Sequence, residues 1–320
     1  MKRDLTVERK SARAFGAKRK KLLFYSLFIA IPTLHYLIFY LYINLDSVLL
    51  AFRKYGIDAS KGVLSYTFAG WGNFVEAFKI LGQSGARTAN SFIFLAVSIF
   101  VSTPLALLFS FYIYKKRFGT EFFRVILFLP QILSAVIFGV LYRYMCNQVA
   151  GWFAENVFHA DKVNFLYDQN YQMGAVILFN IIMSFGVNVL TYSGTMSGVN
   201  QSLSEAAELD GCKPLQEFWY ITVPMIWPTV ATLMIVTFSR VFTEQWQVLT
   251  LLSRTPGKVD NIGYFLYTKV VDGNLVTDAG NPNQISYSVL SALGLILTAL
   301  ILPTTMVLRK LLDKYGPKAE

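Results

Sequence analysis

Apolar residues in this chain gather into long, nearly unbroken runs instead of the half-polar stripes of a water-soluble core. Six runs stand out, at roughly 22–50, 89–114, 122–145, 171–198, 223–252 and 285–309. A membrane-crossing helix needs about 20 mainly apolar residues, so each run predicts one span. The first is longer than a span requires, which predicts a tilted helix or one that ends in a turn outside the lipid. Between the first two runs, Phe68–Phe74 reads FAGWGNF. That turn-rich aromatic piece suits the start of an interfacial helix, with Trp71 at the headgroup level. The segment 253–284, rich in Gly, Asp, Asn and Pro, reads as an exposed loop. The expected fold class is all-α: a polytopic membrane protein with about six transmembrane helices and no internal repeat.

Composition sharpens that picture. The 320 residues are 54% hydrophobic and only 15% charged, with a mean hydropathy of +0.46, whereas a soluble domain carries about 25% charged residues. The net charge of +10 raises the question of nucleic acid, but its distribution answers it. Nine of the 29 Lys and Arg fall within residues 1–21, directly before an apolar run. Such a segment reads as a cytoplasmic anchor against anionic lipid, and no nucleic-acid partner is expected. The run that follows is too long for a signal peptide and lacks a small-residue cleavage site, so it stays as the first span. With the N-terminus inside, the inner segments hold 18 Lys and Arg and the outer segments 10, leaving out Arg240 inside the fifth run. The bias places both termini in the cytoplasm. The organisation expected is a basic N-terminal segment, 1–21, and one six-span domain, 22–320. The two cysteines, Cys146 and Cys212, fall on opposite sides of that topology and are expected to be free thiols.

One inner loop departs from the basic pattern. Between the fourth and fifth runs lie Glu205, Glu208, Asp210 and Glu217 against Lys213 alone. An acidic surface on the basic side of a membrane calls for a positively charged partner. Ser202 followed three residues later by Glu205 fits a capping box, Gly211 suits a positive-φ helix exit and Pro214 a new helix start. Leu215, Phe218, Trp219 and Thr222 then share one helical face, and Pro224 and Pro228 mark a bend into the fifth span. The expected shape is two short helices meeting at a glycine.

Glu205, Ala206, Ala207, Asp210, Gly211, Phe218, Ile221, Pro224 and Pro228 together resemble the EAA loop of the permease subunits of ABC importers. Cys212, where a small residue such as alanine is common, and Val223, where leucine is common, are mild departures. The run Phe122–Met145, the Trp71-Gly72-Asn73-Phe74 piece and Asn90-Ser91-Phe92 extend the resemblance to the maltose-transporter-like sugar permeases. The resemblance implies a type I ABC importer permease fold in a bacterial cytoplasmic membrane, with a coupling loop at about 200–222. It also implies a second permease subunit, two ATPase subunits and an extracytoplasmic solute-binding protein as partners. Glu205, Ala206, Ala207, Leu209, Asp210 and Gly211 would dock the ATPase, with Ala206, Ala207 and Leu209 filling its groove. No GxxxxGK[ST] sequence occurs in the chain, so no phosphate cradle is present. No cofactor is expected here, and ATP and Mg would sit on the partner ATPases.

Polar residues inside spans usually face a bundle interior or a water-filled cavity. Asn180, Ser184, Asn188 and Tyr192 recur every four residues in the fourth run, and Thr237, Arg240, Glu244 and Gln247 fall at helical spacing in the fifth. These two stripes are candidates for a substrate path, since amide, hydroxyl and guanidinium groups hydrogen-bond sugar hydroxyls. The alternative is helix–helix hydrogen bonding, with Arg240 and Glu244 neutralising each other across one turn. Arg240, about 24 Å along a helix from Pro224 at 1.5 Å per residue, belongs to the outer half of the membrane. His35 reads as a packing residue and His159 as a loop residue, and no metal-ligand spacing is present. The function expected is a sugar or oligosaccharide permease subunit with no enzymatic activity. Alternatives are a permease for glycerol phosphate or another small polar solute and, in a different class, an ion-coupled secondary transporter.

Overall fold

The computed structural model describes residues 20–57, 64–157, 159, 164–273 and 285–317. Most of the basic N-terminal segment and all of the 274–284 stretch therefore lie outside the described residues. Helix α1 runs from Lys20 to Ala51, exposed along nearly its whole length and buried only at Ala51. His35, expected to pack, is exposed instead, with its ring 4.8 Å from that of Phe39.

A short antiparallel hairpin follows, β1 at Arg53–Ile57 and β2 at Leu64–Phe68, with Arg53 opposite Phe68. It was not foreseen from residue pattern, because five-residue strands in a loop leave little periodicity. Helix α2, Gly72–Gln83, begins where FAGWGNF predicted. Asn73 explains that landmark: buried, it donates from Nδ2 to the carbonyls of Ala51 (2.8 Å) and Arg53 (2.9 Å). One amide thus caps the end of α1 and fixes the start of the hairpin.

Helix α3, Gly85–Tyr114, is the second span. The third run is not one helix. Helix α4 covers Thr120–Ile132 and α5 covers Ala135–Asn156, bent by 104° at the break. Pro130 removes a backbone donor near the end of α4, and Leu133 is extended (φ −77°, ψ 146°), so the helix cannot run on. The fourth span, α6, is Gln172–Met196, and α7 is the short helix Gln201–Leu209.

Helix α8, Pro214–Ser239, corrects the fifth run at both ends. It starts before residue 223, with Pro214 as its first residue, and it stops at Ser239 instead of reaching 252. Pro224 does not bend the chain out of the helix, because a widened π turn at Phe218–Thr222 precedes it. The same device, at Ser98–Ser102, precedes Pro104 in α3; an i→i+5 turn absorbs the donor that proline lacks. Helices α9 (Val248–Leu252), α10 (Ile262–Asp272) and α11 (Tyr287–Tyr315) complete the order. Among the described residues five helices are long and apolar enough to span a membrane, or six if α4 and α5 count as one broken span.

Three clusters form the core. One joins Ala51, Ala77, Phe242, Ile262 and Leu293 around α1, α2, α10 and α11. A second, around Val176, Phe179, Leu251 and Tyr264, packs α9 and α10 on α6. A third, around Leu107, Phe111, Tyr192, Phe218 and Ile226, joins α3, α6 and α8 at the end of the bundle nearest α7. Gly186 lets α4 cross α6, since a Cβ there would collide with the Leu127 carbonyl oxygen. Asn90 and Ser91 tie the other end together: Asn90 Nδ2 donates to the carbonyls of Lys258 and Asp260 (both 2.7 Å), and Ser91 Oγ accepts from the Ile262 N–H. Both cysteines are free thiols.

Candidate functional sites

Two places gather the residues singled out in the sequence. The first is the elbow formed by α7 and the start of α8. Its N-cap is Asn200, whose side-chain oxygen accepts from the Ser202 N–H (3.1 Å), so the expected Ser202–Glu205 box does not form. Asn200 is extended (φ −63°, ψ 120°) and immediately precedes α7, the position an N-cap requires. Gly211 leaves the helix with φ +76°, a conformation that favours glycine. Lys213 N–H then donates to Gln216 Oε1 (2.9 Å), closing the entry to α8.

The elbow has an outer and an inner surface. Glu205, Ala206, Asp210 and Gly211 are exposed, and Leu209 is 90% exposed. Leu215 and Trp219 are also exposed, while Phe218 and Thr222 point inward, so the single amphipathic face expected for these four is split. Leu215 and Trp219, four residues apart, take one side of the helix and Phe218 and Thr222 the adjacent side. Ala207 is only 9% exposed and packs against its own chain. Ala206 and Leu209, by contrast, are exposed.

Sequence reading missed the inner surface altogether. Glu217, 3% exposed, pairs with Lys115 Nζ at 2.7 Å and accepts from Ser204 Oγ at 2.6 Å. Lys115 also donates to Ser204 Oγ (2.6 Å) and reaches Glu208 at 3.4 Å. Burial alone would depress the Lys115 pKa, but hydrogen bonds and charge from Glu217 and Glu208 outweigh it and raise the value. The available signal was the excess of acids over cations in the loop, which was read as calling for a positively charged partner; the cation facing Glu217 and Glu208 is Lys115 of this chain.

The second place is a cavity of about 340 Å³ beside α6 and the end of α8. Asn180, Ser184 and Asn188 line it, as do Thr237, Arg240, Glu244 and Gln247. The two stripes meet, although the second is not one helical face: α8 ends at Ser239 and the chain turns through Arg240–Gln247. Trp246 and Gln247 are both left-handed (φ 51° and 56°), a costly conformation for large side chains that marks functional sites. Asn180 holds this turn, donating from Nδ2 to the Trp246 carbonyl at 2.6 Å. Tyr192 is the exception among the candidates. It is buried in the core near α7 and does not reach the cavity.

Several polar groups in the cavity are unspent. Among the described residues the Arg240 and Glu244 side chains form no ion pair, and Asn188 makes no side-chain hydrogen bond. The indole N–H of Trp246 is buried without an acceptor. Gln131, which sequence reading passed over, enters the wall from α4 by donating to the Met183 carbonyl. On the far side of Trp246 a smaller cavity of about 60 Å³ shares Ser98, Asn180 and Ser184 with the larger one and adds Ser102 from α3. Among the described residues no group of three metal-ligating side chains forms.

Residues 99–315 match the family described as binding-protein-dependent transport system inner membrane component. The chain is similar to the polygalacturonan/rhamnogalacturonan transport system permease of Bacillus subtilis, 24% identical with 93% of this chain and 92% of that one covered. It is similar to an arabinooligosaccharide transport system permease of Halalkalibacterium halodurans, 25% identical over 73% of this chain and 72% of that one. An sn-glycerol-3-phosphate transport system permease of Rhizobium meliloti is 26% identical over 57% and 62%. Among solved structures, a chain of a bacterial alginate ABC transporter crystallised with its alginate pentasaccharide-bound periplasmic protein superposes with a TM-score of 0.72, covering 95% of this chain and 98% of that one at 19% identity.

Proposed function

Because the chain belongs to the family of binding-protein-dependent transport system inner membrane components, we propose that it forms half of an ATP-driven import pathway for an oligosaccharide. A solute-binding protein outside the cell would deliver the sugar, and a second permease subunit would complete the pathway. ATPase subunits would dock on the exposed face of the elbow, through Glu205, Ala206 and Leu209. Both termini would then lie in the cytoplasm, as the Lys and Arg bias indicates.

The observation that carries this reading is the cavity, where two polar stripes converge and leave Asn188, Arg240, Glu244 and the Trp246 N–H unsatisfied. Unpaired polar groups at membrane depth are costly, and a hydroxyl-rich ligand would satisfy them as it passes. Trp246, stacked on Phe94 with centroids 5.8 Å apart, adds an aromatic wall suited to a sugar ring. The relatives named for oligosaccharide transport support the substrate class. The unpaired Arg240 also favours a second reading, an anionic solute such as glycerol phosphate, for which one relative is named.

Uptake by the assembled complex in proteoliposomes tests the proposal, with labelled pectin-, arabinan- and glycerol phosphate-derived solutes offered in competition. ATP-dependent uptake that survives ionophores, and that Glu205→Lys abolishes while assembly persists, is the result expected. Uptake that needs an ion gradient and no ATP overturns it. A second arm checks the orientation: an impermeant thiol reagent applied to intact cells should leave Cys212 unlabelled.

A further inference from the structure

We propose that Lys115 is the residue through which displacement of the elbow reaches α3, acting as a positioning residue through Glu217. The inference rests on the reading above that a partner ATPase moves the elbow.

The chain itself connects the elbow to only two spans. Helix α6 leads into α7 and α8 leads out, so both must follow any movement of the elbow. Helix α3 has no such covalent link, yet it supplies Ser98 and Ser102 to the cavity walls. Its end nearest the elbow is Tyr114, and Lys115 is the next residue.

The Lys115 ammonium has three donors, and three acceptors surround it: Ser204 and Glu208 on α7, and Glu217 in the first turn of α8. Ser204 Oγ passes the linkage on by donating to Glu217 Oε1. One cation therefore clasps α3, α7 and α8. Between α3 and the elbow there is also an apolar contact, Phe111 against Phe218 with centroids 5.2 Å apart, while Ser110 Oγ holds α3 to α6 by donating to the Val189 carbonyl at 3.0 Å. Dispersion has no preferred direction and lets surfaces slide, whereas charge-assisted hydrogen bonds fix distance and bearing. The buried clasp is the stiff element, and the ring contact is the bearing beside it. Glu208 and Lys115 also edge an open polar hollow, so the clasp lies directly behind the exposed docking face.

The test reads the movement of α3 without knowledge of the solute. The full complex with its ATPases is placed in nanodiscs, with Cys146 and Cys212 replaced by serine. A single cysteine is introduced at Ser98 on α3 or, as control, at Asn188 on α6. A water-soluble maleimide then reports exposure at rest and after locking the ATPases with ATP and vanadate. In the parent protein both labelling rates should change with locking, by about fivefold or more if the helices pass between two discrete arrangements. In Lys115→Met/Glu217→Met, which removes both charges together and so avoids a stranded carboxylate, Asn188→Cys should still respond and Ser98→Cys should not. Lys115→Arg should keep both responses.

An undiminished Ser98→Cys response in the double variant overturns the proposal, as does an unresponsive Ser98→Cys in the parent beside a responsive Asn188→Cys. Loss of both responses in the double variant overturns it too, since the clasp would then merely hold the elbow up. Silence of both sites in the parent overturns the ATPase-driven reading itself, and this inference with it.

Discussion

Two pairs of opposite charges in this chain meet opposite fates. Lys115 and Glu217 are far apart in sequence and form a buried contact of 2.7 Å. Arg240 and Glu244 are one turn apart, and Glu244 N–H even donates to the Arg240 carbonyl (2.8 Å), yet their side chains form no ion pair among the described residues. The first pair closes its hydrogen bonds within the protein and so belongs to the scaffold. The second leaves charge facing a cavity, without a side-chain partner among the described residues. Charges that have found each other hold a fold, and charges kept apart in a hollow are available for function.

The largest effect should come from breaking the buried pair. Lys115→Ala strands the Glu217 carboxylate, and the loss is expected to be about 3–5 kcal/mol, read as a fall in unfolding midpoint of the purified protein. Removing both partners in Lys115→Met/Glu217→Met should recover most of that loss, since neutral replacement of a whole pair is often harmless. If the single and double variants melt alike, the pair is not structural and the contrast with Arg240 and Glu244 fails. Next in size is Gly186→Ala, which forces a methyl group against the Leu127 carbonyl and should cost about 1–3 kcal/mol. It should also shift α4, and with it Gln131 in the cavity wall, so uptake should fall along with stability.

A smaller effect, and the sharper test, is expected in the cavity. Arg240→Ala and Asn188→Ala should each move stability by less than about 0.5 kcal/mol. Their cost should fall on transport, with half-saturation rising by roughly 3–10-fold per lost neutral hydrogen bond. Arg240→Ala should cost up to about 100-fold if the solute is anionic. Destabilisation comparable to Lys115→Ala would mean that Arg240 has a structural partner after all. The smallest effect concerns pH. Lys115 has its pKa raised above the ordinary 10.5, so its contribution is complete below that value and is lost only as pH rises through the higher folded value. Thermal stability of the protein, but not of the double variant, should therefore acquire an added decline only in strongly alkaline buffer.

Much of the scaffold was legible from residue pattern. Runs of about 20 apolar residues located the spans, because lipid admits little else, and Gly211 and Pro214 announced the elbow through backbone rules that act locally. The third and fifth runs were misjudged for one reason. Apolar residues resume on both sides of Leu133–Ser134 and of Arg240–Gln247, but the backbone there leaves the helix, and averaged hydropathy is blind to dihedral angles. Tyr192 followed the four-residue spacing of its stripe, yet a helix of this length carries one face from the cavity into the core. The Asn73, Asn90 and Ser91 landmarks were noticed through resemblance, and their hydrogen bonds supply the reason.

Left to itself, the amino-acid order settles where the long apolar stretches and the polar elbow fall, since both follow from short-range properties of consecutive residues. Which charges find each other is settled elsewhere. It took the packing of α3 against α6 and α8 to carry Lys115 to Glu217, and the early end of α8 to leave Arg240 and Glu244 in the cavity. Electrostatic energy depends on distance and burial in space, and neither quantity is written in the spacing of residues along a chain.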